Sequence, residues 1–464
     1  MLKVLNTVLL AGVFAVGWIL YYKNHVAMQM TSVSSWSLPA LFLVFYVIFA
    51  RTYEAFAVSY QRISEVAGSQ ILAAVISDAL MYVIICILAQ SVPNVLPMAA
   101  VLAGQSLAAI AWTMLMHWWY FRSFPPKRSA VVYDSPRALE ELISEYGLEK
   151  KFEILWVAPV DDCLRDLSRL DGLETVFLSD LHSHDRNTIL KYCMLHGVSA
   201  YTIPRIGDVI MSGAKRTHMF HLPILRVERH CYTPEQTFAK RLFDLVISSL
   251  ALIVLSPILL LTALAVKLCD GGPVFYKQRR LTLNGAVFEI LKFRSMRVDA
   301  EEIGGAQLSR GEEDPRITPV GRVIRRFRID ELPQLLNVLK GDMSIVGPRP
   351  ERPEIAEAYE KDLPEFRLRL QVKAGLTGYA QVYGKYNTTP YDKLQMDLMY
   401  IATPGFLTDL SICIATVKVL FLPESTEGFA EQQPVTAEDI SAGAAENLPI
   451  EKIGSREKET AKVS

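Results

Sequence analysis

The chain has 464 residues, 51% of them hydrophobic, and a formal net charge of -1. This length exceeds that of one ordinary domain, so we expect two or three. This net charge is a sum over regions of different composition, so it identifies no partner. We predict no nucleic acid partner. The six cysteines form no C-x-x-C pair, which argues against a zinc site or a disulfide framework.

Four apolar runs open the chain, at about 5–22, 32–50, 71–90 and 98–121. Each approaches the ~20 residues that a helix needs to cross a bilayer. Lys3 precedes the first run, Arg51 follows the second and Arg122 follows the fourth. Basic flanks favour the cytoplasmic side, so the N-terminus and everything after Arg122 are predicted to lie there. We therefore predict a four-helix transmembrane bundle over residues 1–121.

The sequence pattern of residues 122–230 differs from that of the apolar runs before them. Short β-rich runs alternate with helical stretches, which is typical of a parallel α/β domain. A nucleotide-binding domain of this class has a glycine-rich turn after its first strand, but this chain continues Asp134-Ser135-Pro136. We predict a cytoplasmic Rossmann-like α/β domain without a glycine-rich loop, used for packing, oligomerisation or regulation.

A fifth apolar run, 242–266, is long enough to span a membrane. Basic residues stand on both sides of it, Lys240 and Arg241 before and Lys267 after, so both ends favour the cytoplasmic face. Ser256-Pro257 lies near its middle, and proline removes a backbone donor and kinks a helix. We predict a re-entrant membrane helix broken at Ser256 and Pro257; a proline-kinked spanning helix is the alternative.

Two adjacent carboxylates, Asp330 and Glu331, open a short predicted helix that Gly341 ends. Adjacent acids among many cations indicate a site that handles phosphate through a carboxylate nucleophile and a metal. A plain helix N-cap also explains Asp330, because a leucine stripe follows it at helical spacing. A helix N-terminus attracts phosphate as well, so the cap and the catalytic site can coincide.

Several further residues are candidates for binding substrate. Arg349, between two prolines, is assigned to the substrate phosphates, with a turn arginine on a carbonyl as the alternative. Weaker phosphate candidates, each of which could contact lipid headgroups instead, are Arg280, Lys292 and Arg294. Thr377 and Gln381 are weak candidates for nucleotide or sugar, although a turn role explains the neighbouring Gly375 and Gly378 equally well.

Residues 238–421 resemble the bacterial polyprenyl-phosphate hexose-1-phosphate transferases. Four spans and an α/β domain before this segment resemble the long form of that family. Thr282 and Arg328 stand at the edge of the family's pattern. The motifs that carry the resemblance are Lys240-Arg241, Phe243-Asp244, Ser256-Pro257, Lys292-Phe293-Arg294-Ser295-Met296, Asp330-Glu331-Leu332-Pro333-Gln334, Gly341-Asp342-Met343-Ser344, Gly347-Pro348-Arg349-Pro350, Lys373-Ala374-Gly375-Leu376-Thr377-Gly378 and Gln381-Val382.

The resemblance implies a mainly helical monotopic catalytic domain over 231–423, on the cytoplasmic face of the bacterial inner membrane. Asp330 would attack a UDP-sugar, release UMP and pass the phosphosugar to polyprenyl phosphate, starting an exopolysaccharide, capsule or O-antigen unit. Mg²⁺ suits this crowding of negative charge, with Glu331 as a ligand, or as a base toward the lipid phosphate, and Asp342 as a weaker second ligand.

Some questions stay open at this level. The alternative function is a catalytically silent membrane scaffold or regulator of polysaccharide assembly, which the intact Asp330 and Glu331 disfavour. The sugar is not identified, and a homo-oligomer is a further possible partner arrangement. The tail, 424–464, is rich in Glu, Ala, Ser and Gln with few aromatic residues, so we predict that it is disordered.

Overall fold

The computed structural model describes residues 2–26, 34–134, 150–229, 232–297, 316–384 and 389–421. The predicted disordered tail lies outside the described residues. The first helices form a bundle in which α1 packs against α2 and α4, and α3 packs against the same two. The four helices are α1 (Leu2–Leu20), α2 (Ser37–Thr52), α3 (Ile63–Ala89) and α4 (Leu96–Ser123).

Aromatic side chains fill the centre of this bundle. The rings of Phe14 and Phe42 stack with centroids 4.6 Å apart, and Trp18 and Tyr46 are almost fully buried beside them. Such rings bury a large area each, so the bundle has a hydrophobic core of its own. The outward-facing side chains of the same helices are also largely apolar, as in helices that lie in lipid.

Four helices in the described part of the chain are long and apolar enough to cross a membrane. Three are α1, α3 and α4, and the fourth is α8 (Pro234–Asp270). The prediction of long apolar helices is therefore confirmed, but α2 differs from the expected span. Its 16 residues extend only ~24 Å, less than the ~30 Å hydrocarbon core of a bilayer.

The next segment is a four-stranded parallel sheet with the strand order β2-β1-β3-β4. The mixed α/β character predicted here is present, whereas the finer assignment as Rossmann-like stays a prediction. Residues 135–149, which include the turn after β1, lie outside the described residues. The elements are β1 (Lys127–Tyr133), β2 (Phe152–Pro159), α5 (Val160–Arg165), β3 (Thr175–Ser179), α6 (Ser183–His196), β4 (Ser199–Thr202), α7 (Ile206–Ser212) and the antiparallel pair β5 (Lys215–Met219) and β6 (Leu222–Arg226).

The apolar run after this domain forms one helix, α8, and not the two helices that we expected on either side of Ser256 and Pro257. Pro257 has no amide hydrogen to donate to the Ile253 carbonyl four residues earlier. The Ser256 hydroxyl donates to that same carbonyl at 2.8 Å, so the acceptor is satisfied and the helix continues. The re-entrant path of α8 through the membrane stays a prediction.

The remaining elements pack around the start of α8 as a mainly helical unit. Asp244 joins α8 to β9, because its Oδ1 accepts hydrogen bonds from the Ser344 hydroxyl at 3.0 Å and the Ile345 amide at 2.9 Å. The elements are the antiparallel pair β7 (Phe275–Leu281) and β8 (Val287–Phe293), α9 (Pro319–Arg326), α10 (Gln334–Lys340), β9 (Ser344–Val346), α11 (Pro353–Asp362), β10 (Gly375–Thr377), α12 (Tyr379–Tyr383), α13 (Pro390–Ala402) and α14 (Phe406–Phe421).

Candidate active site

The two adjacent acids lie on a separate turn ahead of α10. A 3-10 turn spans Ile329–Glu331, and α10 begins only after Pro333. Arg328, just before the turn, has φ +52°, a left-handed conformation that is uncommon for a residue other than glycine. The helix therefore starts later than the sequence suggested, and the carboxylate of Asp330 does not cap it. Gly341 ends α10 with φ +100°, as predicted.

Glu331 is held between two cations. Its Oε1 accepts from Lys292 Nζ at 2.9 Å and from Arg349 Nη2 at 2.9 Å. Burial raises the pKa of a carboxyl group, but the charges of Arg349 and Lys292 outweigh it and hold the pKa of Glu331 well below its usual range. Glu331 is therefore ionised throughout the physiological range.

Asp330 is in the opposite situation. Within the described residues its carboxylate has no ion pair and no hydrogen bond from another side chain. Burial and the negative charge of Glu331 raise its pKa to about 6, and the charges of Lys292 and Arg325 offset only part of that rise. A carboxylate with free lone pairs and a raised pKa is more basic than an ordinary aspartate, which suits a nucleophile.

A buried asparagine positions Lys292. Asn337, on α10, accepts from the Leu291 amide at 2.9 Å through Oδ1 and donates to the Glu289 carbonyl at 2.8 Å through Nδ2. Both contacts are made to β8, the strand that carries Lys292. Asn337 therefore fixes β8 beside α10, which brings the Lys292 ammonium to Glu331.

Arg349 is positioned by contacts to its own loop. Arg369 Nη2 donates to the Arg349 carbonyl at 2.9 Å and lies 2.7 Å from Asp397 Oδ2. The side chains of Arg369 and Asp397 are almost fully buried. On the other side, Arg280 donates to the Pro350 carbonyl at 3.0 Å. Burial lowers the pKa of Arg280 to about 10. The backbone on both sides of the Arg349 side chain is therefore tied down.

Three glycines allow the loop before Arg349 to lie against β10. A Cβ on Gly347 would come within 2.2 Å of the Lys373 carbonyl oxygen. Added Cβ atoms on Gly375 and Gly378 would each lie 2.1 Å from backbone atoms of Gly347. Only glycine permits this backbone approach. The pair Gly375 and Gly378 therefore has a packing role against Gly347.

Five of the predicted site residues line one small cavity of about 20 Å³, together with Ile290, Gln334, Pro350, Gly375 and Leu376. These are Arg280, Lys292, Glu331, Arg349 and Gln381. The side chain of Gln381 donates to the Leu376 carbonyl at 3.2 Å. Thr377 is not among the lining residues, and its hydroxyl lies 2.7 Å from that of Thr416. The structure thus gathers most of the predicted phosphate contacts around Glu331.

Two predicted residues lie elsewhere. Arg294 pairs with Asp270, the last residue of α8, and its guanidinium lies against Gly272. Asp342 follows the C-terminal end of α10, where it lies 3.2 Å from Lys340 Nζ, whereas Glu331 precedes the N-terminal end. Seven helical residues, ~10 Å of helix, separate the two ends. The structure therefore does not bring Asp342 and Glu331 together as a pair of metal ligands.

Three residues that support the site were not identified from the sequence: Asn337, Arg369 and Asp397. Asn337 is buried in α10 near the buried Leu335, and Asp397 is buried in α13 near the buried Leu394. A polar residue in a buried stripe indicates a hydrogen-bond partner but does not say which. The pairing of Arg369 with Asp397 depends on how two separate helical segments pack, so no local signal reveals it.

Comparisons with known proteins relate this chain to bacterial sugar transferases. A family model described as bacterial sugar transferase matches residues 235–423, the part of the chain that contains the site. The UDP-glucose:undecaprenyl-phosphate glucose-1-phosphate transferase of Caulobacter vibrioides is 43% identical over 191 residues, which cover 40% of this chain and 71% of that protein. The exopolysaccharide production protein ExoY of Sinorhizobium fredii is 39% identical over 197 residues, 40% of this chain and 86% of that protein.

A third relative is named for another sugar. The UDP-N-acetylgalactosamine-undecaprenyl-phosphate N-acetylgalactosaminephosphotransferase of Aeromonas hydrophila is 35% identical over 255 residues, 54% of this chain and 59% of that protein. The names of these relatives agree on undecaprenyl phosphate where they state an acceptor, and they differ in the sugar.

Proposed function

The chain belongs to the bacterial sugar transferase family, whose members are transferase enzymes, and we propose that it moves a hexose 1-phosphate from a UDP-sugar to polyprenyl phosphate. The observation that carries this proposal is the contrast within the acid pair. Asp330 has a raised pKa and no ion pair among the residues that the structure describes, whereas Glu331 is fixed by Lys292 and Arg349. One acid is thus free to react while its neighbour stays in place.

In the first half-reaction, a carboxylate oxygen of Asp330 attacks the phosphorus that carries the sugar. The bond from that phosphorus to the bridging oxygen breaks, and UMP leaves with the electron pair. The product is an acyl phosphate in which the phosphosugar is bonded to Asp330. A carboxylate is a competent nucleophile toward such an activated phosphoryl group, and the raised pKa of Asp330 increases its nucleophilicity.

In the second half-reaction, a phosphate oxygen of polyprenyl phosphate attacks the same phosphorus. The Asp330 carboxylate leaves, and the product is a polyprenyl-diphospho-sugar. Splitting the exchange into two displacements lets a water-soluble donor and a lipid acceptor use one nucleophile in turn. We place this exchange at the first step of building a polysaccharide repeat, on the cytoplasmic face of the bacterial inner membrane.

The cations of the site stabilise the charge that gathers in both steps. Arg349 uses one nitrogen for Glu331, and its side chain is 42% exposed, so its other N–H groups can donate to a substrate phosphate. Lys292 adds a second positive charge at the same carboxylate oxygen of Glu331. Arg280 acts through the Pro350 carbonyl, which makes it a positioning residue for Arg349.

The donor set at the acid pair fits Mg²⁺. Glu331 uses Oε1 for both of its cations, and the Asp330 carboxylate is unpaired within the described residues, so hard oxygen donors face the site. Mg²⁺ is usually held by one or two carboxylates and completes its shell with substrate phosphates and water. When bound, the ion would offset negative charge on the phosphates. We assign Glu331 as its protein ligand and leave out Asp342, which lies beyond the far end of α10.

Release of UMP tests the proposal. The full chain, purified in detergent, is incubated with undecaprenyl phosphate and, in turn, UDP-glucose, UDP-galactose, UDP-N-acetylglucosamine and UDP-N-acetylgalactosamine. We expect UMP with at least one donor, and the panel also identifies the sugar. Absence of UMP with every donor contradicts the transferase proposal and favours the silent scaffold.

A second experiment tests the nucleophile. With labelled UDP-sugar and no acceptor, the protein is expected to release about one equivalent of UMP and to retain the labelled phosphosugar covalently on Asp330. Asp330→Asn is expected to abolish both the burst and the adduct. A full burst in this variant, or an adduct that maps to another residue, moves the nucleophile elsewhere.

A further inference from the structure

A second cavity lies beside the first turns of α8, with a volume of about 510 Å³. Cavities that hold small molecules are commonly ~300–1,000 Å³, so it is large enough for a ligand. It shares no lining residue with the small cavity at Glu331. The proposed transfer reaction assigns no role to it.

The lining of this cavity carries an excess of positive charge. Four cations, Arg229, Lys240, Arg241 and Lys373, line it together with one acid, Asp244. That acid is occupied by β9, because its Oδ1 accepts from two β9 groups. Counting the lining groups alone, four positive charges face one negative charge, which leaves a net excess of three.

One of these excess charges is neutralised within the protein, because the Lys240 ammonium lies 2.7 Å from Asp409 Oδ2. Arg241 and Lys373 have no such partner: within the part of the chain that the structure describes, no carboxylate lies within 4.0 Å of either. Arg241 donates to the Val338 carbonyl at 2.7 Å. A carbonyl accepts a hydrogen bond but does not neutralise a cation, so the charge remains.

The environment of Lys373 favours an anionic ligand. Lys373 Nζ donates to the Gly341 carbonyl at 2.8 Å, and burial together with the charge of Arg241 lowers its pKa. Two cations are therefore held close together in a half-buried position, and neither forms an ion pair with a carboxylate among the described residues. Such a pair is stabilised when an anionic ligand enters the cavity.

The position of the cavity along α8 indicates where the anion would come from. Thr237, Lys240 and Arg241 line it, and the same helix becomes apolar from Leu242 onward. Leu242 and Val246, within two turns of the lining residues, are exposed. Exposed apolar side chains directly after basic ones are typical of the level at which a helix enters the lipid, where headgroup phosphates are found.

We propose that this cavity binds the phosphate of an anionic lipid headgroup, with Arg241 and Lys373 as the principal contacts and Arg229 at the entrance. The acyl chains would then lie along the exposed apolar side of α8. The lipid would fix the depth of α8 in the membrane and, through Arg241 and Lys373, contact the C-terminal end of α10.

The structural alternative is that Arg241 and Lys373 only cap the last carbonyls of α10, as cations do at helix C-termini. Both roles can coexist, but they differ in one measurable respect. Capping alone predicts a loss of stability on substitution, with no dependence on the lipid that is present. Binding of a headgroup predicts a change in the affinity for anionic lipid.

Native mass spectrometry of the full chain, released from detergent micelles, measures this affinity directly. The protein is titrated with phosphatidylglycerol, which is anionic, and in a parallel series with phosphatidylcholine, which is zwitterionic. Lys373→Gln is compared with Lys277→Gln, a matched control on β7 where an exposed lysine pairs with Glu289. We expect preferential retention of phosphatidylglycerol, reduced about fivefold in Lys373→Gln, the contribution of roughly one cation near a membrane surface, and unchanged in Lys277→Gln.

Arg229→Gln provides the test if Lys373→Gln fails to fold, because Arg229 is exposed and donates to the side chain of Asn284. A third titration with inorganic phosphate distinguishes a lipid from a soluble phosphate. Equal retention of the two lipids, or phosphatidylglycerol affinity that is the same in every variant, overturns the proposal. So does a loss confined to inorganic phosphate, which would assign the cavity to a water-soluble phosphate compound.

Discussion

Neutralising the two adjacent acids is expected to change stability in opposite directions. Asp330→Asn removes a half-buried carboxylate that has no ion pair in the described part of the chain, whereas Glu331→Gln removes a carboxylate that pairs with two cations. The side chains are neighbours in sequence and each substitution is nearly isosteric. Any difference in sign therefore reports the electrostatic environment of each acid and not its position in the chain.

The magnitude for Asp330 follows from its pKa, which rises from 3.8 to about 6 on folding. Each pKa unit corresponds to about 1.4 kcal/mol, so ionised Asp330 costs the native state about 3 kcal/mol at pH 8. The cost is absent below pH 3.8, where the group is protonated in both states, and it grows as the pH rises to the folded pKa. Asp330→Asn is therefore expected to stabilise by about 3 kcal/mol at pH 8 and by roughly half as much at pH 5.

The magnitude for Glu331 comes from its two ion pairs. Removing one partner of a fully buried pair costs about 3–5 kcal/mol, because the other charge is left uncompensated. The side chain of Arg349 is 42% exposed and that of Lys292 is 20% exposed, so solvent screens part of this cost and we expect roughly 1–3 kcal/mol. The pKa of Glu331 lies well below its usual range, so this loss is the same at pH 5 and pH 8.

Thermal unfolding in detergent, followed at a fixed scan rate at pH 5 and pH 8, measures both effects. For a unit of this size about 1 kcal/mol shifts the melting temperature by about 2–4 °C, so Asp330→Asn is expected to raise it by roughly 6 °C or more at pH 8. Glu289→Gln is the control, since that carboxylate is 61% exposed and pairs with Lys277, which is 62% exposed. A lower melting temperature for Asp330→Asn at pH 8, or equal shifts at both pH values, refutes the reasoning.

Three further results are expected. The value of kcat/KM should fall on the acid side with a pKa of about 6, tenfold per pH unit, because Asp330 must be ionised to attack; an inflection near 4 contradicts this. Asp397→Asn and Arg369→Lys should each lower kcat/KM for UDP-sugar about tenfold while the acid inflection stays in place, since both act through the position of Arg349; an unchanged rate excludes a positioning role. Chelation by EDTA should abolish UMP release and added Mg²⁺ restore it, whereas activity that survives EDTA rules out the metal.

The sequence was sufficient to locate the acid pair but not to assign cations to it. Lys292 and Arg294 are two residues apart, and in an uninterrupted strand they would share a face. Strand β8 ends at Phe293, so the chain turns and Arg294 meets Asp270 while Lys292 meets Glu331. Alternation along a strand is informative only as far as the strand extends, and the end of β8 was not visible in the pattern.

The same limit applied to the membrane helix. Ser256 and Pro257 predicted a break, and proline does remove the amide that would bond to the Ile253 carbonyl. The Ser256 hydroxyl donates to that carbonyl at 2.8 Å, so the acceptor is satisfied and α8 continues as one helix. The balance between the lost and the gained hydrogen bond depends on the local geometry, which the two residues of the motif do not specify.

Asp342 shows how a helix can keep two acids apart although they stand close together in the sequence. It stands eleven residues after Glu331, and if the intervening chain were a loop the two carboxylates could meet around one ion. The chain between them is α10, and a helix keeps its ends apart by its rise per residue, here ~10 Å. Helix α10 is also anchored, by Asn337 to β8 and by Arg241 at its C-terminal carbonyls. Glu331 and Asp342 therefore stand at opposite ends of an anchored helix, which is why Asp342 is left out of the proposed Mg²⁺ site.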